Sequence, residues 1–161
     1  MERRVEALVV GGGLAGLSAA YFLARRGLRP WVLEREAPLS CTSDKSTEAY
    51  RLFWPGDEDL AALVRESLDL LSPFAGVARP NRRGYLYVGR LEALEAMALE
   101  APHAGPLRVH REAATYPKEA ASGLDLLLPG ALGEVFPYLG HLRGLGGLHV
   151  IAAQELRHSG R

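Results

Sequence analysis

Gly11-Gly12-Gly13-Leu14-Ala15-Gly16 satisfies the spacing G-x-G-x-x-G, and an acidic residue, Glu34, follows Gly16 by 18 positions. Each glycine has a separate physical task. Gly11 permits a tight turn out of a strand, Gly13 presents no Cβ to keep a pyrophosphate from the backbone, and Gly16 lets a helix and a strand pack closely. Leu14 and Ala15 open that helix, whose first turn offers N–H groups and a partial positive charge to phosphates. A carboxylate at Glu34 can accept hydrogen bonds from ribose hydroxyls, which implies a free 2′-hydroxyl and disfavours NADP. The chemistry indicated is dinucleotide binding. The alternative is that the glycines only make a tight turn and that Glu34 is a solvated strand end. The order strand, motif, helix, strand, acid favours a ligand.

The elements needed to position these residues are legible around them. Val5–Val10 is a short Val-rich run ending at the glycines and reads as a strand buried on both faces of a parallel sheet. Leu14–Arg26 places Leu14, Leu17, Ala20, Tyr21 and Ala24 on one helical stripe, with Arg25 and Arg26 in the last turn and Gly27 just beyond. Trp31–Leu33, preceded by Pro30, reads as the second strand. The fold class expected is α/β: a Rossmann-like FAD/NAD(P)-binding β-α-β unit followed by the start of an α+β substrate domain.

Farther along, residues 37–56 are polar and irregular and read as a functional loop with a helical turn near Glu48–Phe53. Asp57 can cap a helix over Glu58–Leu71, on which Leu60, Leu63, Val64, Leu68 and Leu71 recur at helical spacing. Gly84–Val88 reads as a strand with Tyr85 and Tyr87 on one face, and Leu91–Ala101 as a helix ended by Pro102. Leu124–Leu128 fits either strand or helix. The last stretch, 141–161, shows no clear period and holds the only Ile (Ile151) and the only Gln (Gln154). It reads as an atypical tail, frameshifted or disordered. The organisation expected is thus 1–75 for the nucleotide-binding part, 76–140 for a partial substrate domain, and 141–161 for the tail.

Composition narrows the function. Apolar content of 48% and charged content of 24% are globular values, and the formal net charge of zero makes no electrostatic case for nucleic acid or an anionic membrane. Cys41 is the single cysteine, which excludes an internal disulfide and a Cys-based zinc site and fits a reducing, cytoplasmic compartment. The five His residues lack metal-ligand spacing, so no metal is expected, and no hydrolase or P-loop motif is present. His103 and His110, flanking a Gly-Pro turn, read as exposed loop residues.

The β-α-β unit presents the same ADP site to FAD and to NAD. The run VEALVVGGGLAGLSAAYFLARRGLRPWVLERE, followed by TSDKSTEAYRLFWPG, resembles the N-terminal region of the FAD-dependent D-amino-acid-oxidase-like family, which includes glycine, sarcosine and dimethylglycine oxidoreductases. The resemblance is strong over residues 5–75 and weaker to about Leu139. It implies FAD as cofactor, a small amine or amino acid as substrate, and a Ser/Thr-rich loop along the cofactor. By that resemblance Thr42, Ser43, Lys45, Ser46 and Thr47 are cofactor-loop candidates, Arg51 sits where the chain nears the flavin, and Arg35 could flank the adenine. An ordinary solvated loop is the alternative. The resemblance also implies that Glu48 stands where some members carry a flavin-linked histidine, and that Cys41 is a bystander thiol.

Family members run to more than twice this length and return late in the chain to complete the flavin sheet. A truncated product is therefore expected, inactive by itself, with a homo-oligomer or a complementary subunit as partner; a non-catalytic nucleotide-binding fragment and an NAD-binding module are the other readings. Helix-end attraction of up to about 2 kcal/mol and a charge-assisted bond from Glu34 of about 1.5–3 kcal/mol sum to roughly 3–5 kcal/mol, or about millimolar affinity. An isolated ADP half-site holds its ligand weakly.

Overall fold

The computed structural model describes residues 4–45, 49–74, 76, 83–117, 122–151 and 153–155. By internal contacts the chain forms two compact units, Met1–Glu48 and Ala49–Arg161.

In the first unit, β1 (Ala7–Val10) and β2 (Pro30–Leu33) pair in parallel through α1 (Leu14–Arg25), in the register Ala7↔Pro30 to Val10↔Leu33. The right ending of α1 follows from Gly27: its N–H donates to Ala24 O at 2.9 Å and the Leu28 N–H to Leu23 O at 3.2 Å, the paired bonds that close a helix with glycine past its cap. A short α2 (Thr42–Lys45) follows. The expectation that β1 is buried on both faces is not met. Val9 faces α1, but Leu8 and Val10 on the opposite face are 53% and 79% exposed, as is Leu33 at 52%. A two-stranded sheet with one helix covers one face only, so the apolar run that marks a doubly covered strand has a partner on one side. The stripe of α1 is likewise shallow: Ala20 is buried, whereas Leu14 and Tyr21 are exposed.

In the second unit, β3 (Ala49–Arg51) pairs antiparallel with β8 (Ala153–Glu155). A strand therefore stands where a helical turn was expected near Glu48–Phe53; the helical turn falls earlier, at α2. The partner of β3 is about a hundred residues away in sequence, beyond the reach of local pattern. Asp57 caps α3 (Glu58–Leu71) as expected, its carboxylate accepting the Leu60 N–H at 2.9 Å. Of the stripe on α3, Leu60, Val64 and Leu68 are half-buried beside buried Ala61, while Leu63 and Leu71 are exposed.

A four-stranded mixed sheet carries the core. Its strands are β4 (Tyr85–Gly89), β5 (Leu107–His110), β6 (Leu124–Leu127) and β7 (Gly146–Val150), in the order β4-β7-β6-β5, with β5 and β6 parallel and the other pairs antiparallel. α4 (Leu91–Leu99) lies on one face and α5 (Pro129–Val135) on the other. Leu94 and Ala98 pack with Leu124, Leu126, Leu148, Val150 and Phe53, and Tyr85 and Tyr87 border that cluster. Each such Leu or Phe, fully buried, contributes about 1.5–3 kcal/mol. α4 ends two residues earlier than read from sequence, before the turn Pro102–Ala104.

The stretch from 141 onward supplies β7, an inner strand whose Leu148 and Val150 are completely buried. Its aperiodic look has a local cause. Two glycines and His149 interrupt the alternation in GGLHV, and long-range pairing with β4 and β6 selects the strand instead.

Candidate functional site

The glycine turn is built by the two strands and the start of α1. Gly11 has φ +101, a conformation closed to most side chains, and its N–H donates to Leu33 O at 2.8 Å. A Cβ on Gly16 would lie 2.0 Å from Gly11 O, so the helix approaches the turn at a distance only glycine allows. Gly13 is the N-cap of α1 and brings no side-chain acceptor, and the first turn carries no acidic residue. That end of the helix is suited to an anion.

Glu34 sits at the end of β2, and its carboxylate gathers backbone donors. Oε2 accepts the Gly12 N–H, and Oε1 accepts the N–H groups of Arg35 at 2.7 Å and Glu36 at 3.0 Å. The hydrogen bonds from Glu36, Gly12 and Arg35 hold the carboxyl below the usual carboxylate range. A carboxylate has about four acceptor positions, so room remains for a ribose hydroxyl. The turn is held from a third point: the Leu39 N–H donates to Gly12 O at 2.9 Å, and Leu39 has φ +64. For a leucine that conformation costs about 1–2 kcal/mol.

The structure brings Gly11, Gly13, Leu14, Ala15, Gly16, Glu34 and Arg35 together in the first unit. Arg35 is solvated, its side chain 88% exposed and paired with Glu36 at 3.4 Å, a pair worth little in stability. Thr42, Ser43 and Lys45 lie on α2 of the same unit. Ser46 and Thr47 lie outside the described residues. Arg51 belongs to the second unit, where its guanidinium stands 4.3 Å from the Trp54 ring centroid and its carbonyl accepts the indole N–H at 2.9 Å. The exposed Cys41 has a free thiol.

Two residues of the turn escaped sequence reasoning. Gly12 is an unspecified position in the motif, yet both its N–H and its carbonyl are used. Leu39 carries no sequence signal, because leucine is not a residue expected at positive φ.

A second polar cluster lies on β5 and β6 of the second unit. His110, expected in an exposed loop, is 4% exposed at the end of β5, because alternation along the strand puts Arg108 and His110 on one face beside Asp125 of β6. Arg108 donates to both Asp125 oxygens, at 2.7 and 2.9 Å, and His110 Nε2 lies 2.7 Å from Oδ1. Burial pushes the Asp125 carboxyl up, but the hydrogen bonds from Arg108 and His110 outweigh it and hold it below its ordinary value. His103 is part-buried as well, accepting the Trp54 N–H on Nε2 at 3.3 Å.

Comparison with known proteins decides the family. The model for "FAD dependent oxidoreductase" matches residues 6–156. The chain belongs to that family. FAD is therefore its cofactor, and the glycine turn with its uncapped helix end and its acid at the end of β2 fits the ADP moiety. Aklavinone 12-hydroxylase DnrF of Streptomyces peucetius is 46% identical over 63 residues, covering 35% of this chain and 13% of that protein. Aklavinone 12-hydroxylase RdmE of Streptomyces purpurascens is 26% identical across 96% of this chain and 35% of its own length. Among solved structures, L-proline dehydrogenase from P. horikoshii matches with a TM-score of 0.69 and 17% identity, over 97% of this chain and 39% of that one. Glycine oxidase from Bacillus cereus matches with a TM-score of 0.62 and 20% identity, over 95% and 41%. The chain thus spans between 13% and 41% of the length of these four proteins. Among the described residues, no helix is long and apolar enough to cross a membrane.

Proposed function

We propose that this chain is the N-terminal, ADP-binding portion of an FAD-dependent amine or amino-acid oxidoreductase. The observation that carries the reading is the first unit's turn, in which Gly11 and Gly16 bring backbone against backbone at the bare N-terminus of α1 while Glu34 waits at the end of β2. Bound FAD would supply an acceptor for two electrons taken from the carbon beside a substrate nitrogen. The chain's own residues do the holding. Gly13, Leu14, Ala15 and Gly16 present the helix end to the pyrophosphate, Glu34 accepts from ribose, and Arg35 flanks the adenine. Thr42, Ser43, Lys45, Ser46, Thr47 and Arg51 are proposed to continue the contact toward the flavin. In this reading residues 1–75 serve the cofactor, 76–140 begin the substrate region, the segment from 141 braces it through β7, and the setting is cytoplasmic. Likeness in fold to a proline dehydrogenase and a glycine oxidase supports an amine or amino acid as substrate.

The exposed side chains of Leu8, Val10 and Leu33 on one face of the parallel pair support a further point: the flavin site is completed by additional polypeptide, from the same chain type or a complementary subunit. The identity to aklavinone 12-hydroxylases favours a second reading, a hydroxylase. The test is to mix FAD-loaded protein anaerobically with L-proline, glycine and sarcosine and to follow the visible flavin bands. Bleaching by an amine once the completing polypeptide is present, and none with this chain alone, is the expected result. A flavin untouched by all three, in protein that hydroxylates aklavinone, would replace the first reading by the second. Protein that retains flavin only after a complementary chain is added would establish the split site.

A further inference from the structure

The strained backbone at Leu39 and its bond to the glycine turn carry one step beyond the cofactor reading, on which this inference rests. The end of β2 and the segment after it hold the turn at three points: Gly11 N–H to Leu33 O, Gly12 N–H to the Glu34 carboxylate, and Leu39 N–H to Gly12 O. The first two fix the strand side of the turn. The third acts on the peptide unit between Gly12 and Gly13. In a trans peptide the carbonyl and the following N–H point in opposite directions. Tying the Gly12 carbonyl to the segment 34–39 therefore turns the Gly13 N–H away from that segment, at the N-cap of α1. Left alone, a glycine-glycine peptide would rotate readily, since neither residue has a Cβ to restrict it.

Leu39 is the described non-glycine residue with positive φ, and it is held there where its N–H meets Gly12. A residue kept in so sparsely populated a conformation points to a demand of the site. We infer that Leu39 is a positioning residue of the dinucleotide site: its backbone N–H, presented by a left-handed turn, locks the Gly12–Gly13 peptide so that the Gly13 N–H is pre-set for the pyrophosphate. Leu39 acts through Gly13 and does not itself touch the cofactor. Its side chain is incidental; the N–H and the backbone angle matter.

The test uses the whole chain, labelled with nitrogen-15 and titrated with ADP. Replacing the Leu39 amide by an ester, with leucic acid in place of leucine, removes the N–H and leaves the side chain. The ester should move the Gly13 amide resonance in the free protein and weaken ADP binding about two- to tenfold, the value of one backbone hydrogen bond. Leu39→Gly keeps the N–H and accepts positive φ, so it should bind ADP within about twofold of the parent chain. Leu39→Val, whose branched side chain opposes positive φ, should weaken ADP binding and serves as the second variant if the ester chain does not fold. Parent-like ADP affinity in the ester or Val chain, with the Gly13 resonance in place, would overturn the role of Leu39. Equal losses in the Gly and Val chains, with parent-like binding in the ester chain that keeps the leucine side chain, would assign the effect to the side chain and overturn it too. If ADP shifts none of the Gly11, Gly13 and Gly16 amides in the parent chain, the dinucleotide reading itself fails and the inference falls with it.

Discussion

At the residue scale, Gly16 separates the needs of a helix from the needs of the site. Alanine in place of a helical glycine ordinarily stabilises by up to about 1 kcal/mol. Here the added Cβ would stand 2.0 Å from Gly11 O, and that partner is backbone. Gly16→Ala should therefore lower the thermal midpoint and reduce ADP affinity at least about tenfold; a rise in midpoint with ADP binding intact would contradict the packing described. Glu34 offers a companion test. Its two oxygens accept three N–H donors, from Gly12, Arg35 and Glu36. A glutamine must turn an NH2 group toward one of them, so Glu34→Gln should broaden or shift the Gly12 amide resonance even without ligand. Because these bonds lower its folded pKa, the carboxylate holds Gly12 above the ordinary carboxylate range and releases it as pH falls through the lowered value.

At the element scale, α3 and the β5–β6 pair show which parts of a sequence speak for themselves. Asp57 ahead of an apolar stripe announced the start of α3, and its carboxylate does accept the Leu60 N–H. Asp57→Ala should cost about 0.5–2 kcal/mol in urea unfolding; no change would mean that the cap is idle in solution. The pair β5–β6 was illegible by comparison, because Arg108 and His110 look like surface residues until Asp125 arrives from β6. The Asp125 carboxylate has its folded pKa depressed by Arg108 and His110 against the opposing effect of burial. Its contribution is present above the unfolded value of about 4 and is lost as pH falls through the folded one. Unfolding free energy should thus drop below about pH 4, and Asp125→Asn should remove part of that slope. An Asn chain with the same acid profile would exclude Asp125 as its source. Removing the carboxylate altogether, as in Asp125→Ala, should cost about 1–3 kcal/mol by leaving buried His110 and half-buried Arg108 without their acceptor.

At the scale of the whole molecule, the elements of the first forty residues were legible, since glycine turns, helix caps and strand runs are local signals, whereas the exposure of one face of β1 was not. The rest depended on distance. β3 becomes a strand only by pairing with β8, and β7 becomes an inner strand only between β4 and β6. The candidate site followed the same rule: Gly11, Gly13, Gly16 and Glu34 were visible through spacing, whereas Gly12 and Leu39 join the turn through backbone groups that nearly every residue possesses. The apolar face of Leu8, Val10 and Leu33 predicts self-association or binding of a hydrophobic dye, which charged substitution at Val10 should reduce.

The measurement closest to the central claim is a fluorescence-anisotropy titration of FAD with the purified chain, followed by competition with ADP. Saturable binding in about the millimolar range, displaced by ADP and lost in Gly16→Ala, is the predicted result. FAD that stays free at several times that concentration, or that stays bound when ADP is in excess, would contradict the placement of the cofactor on the glycine turn.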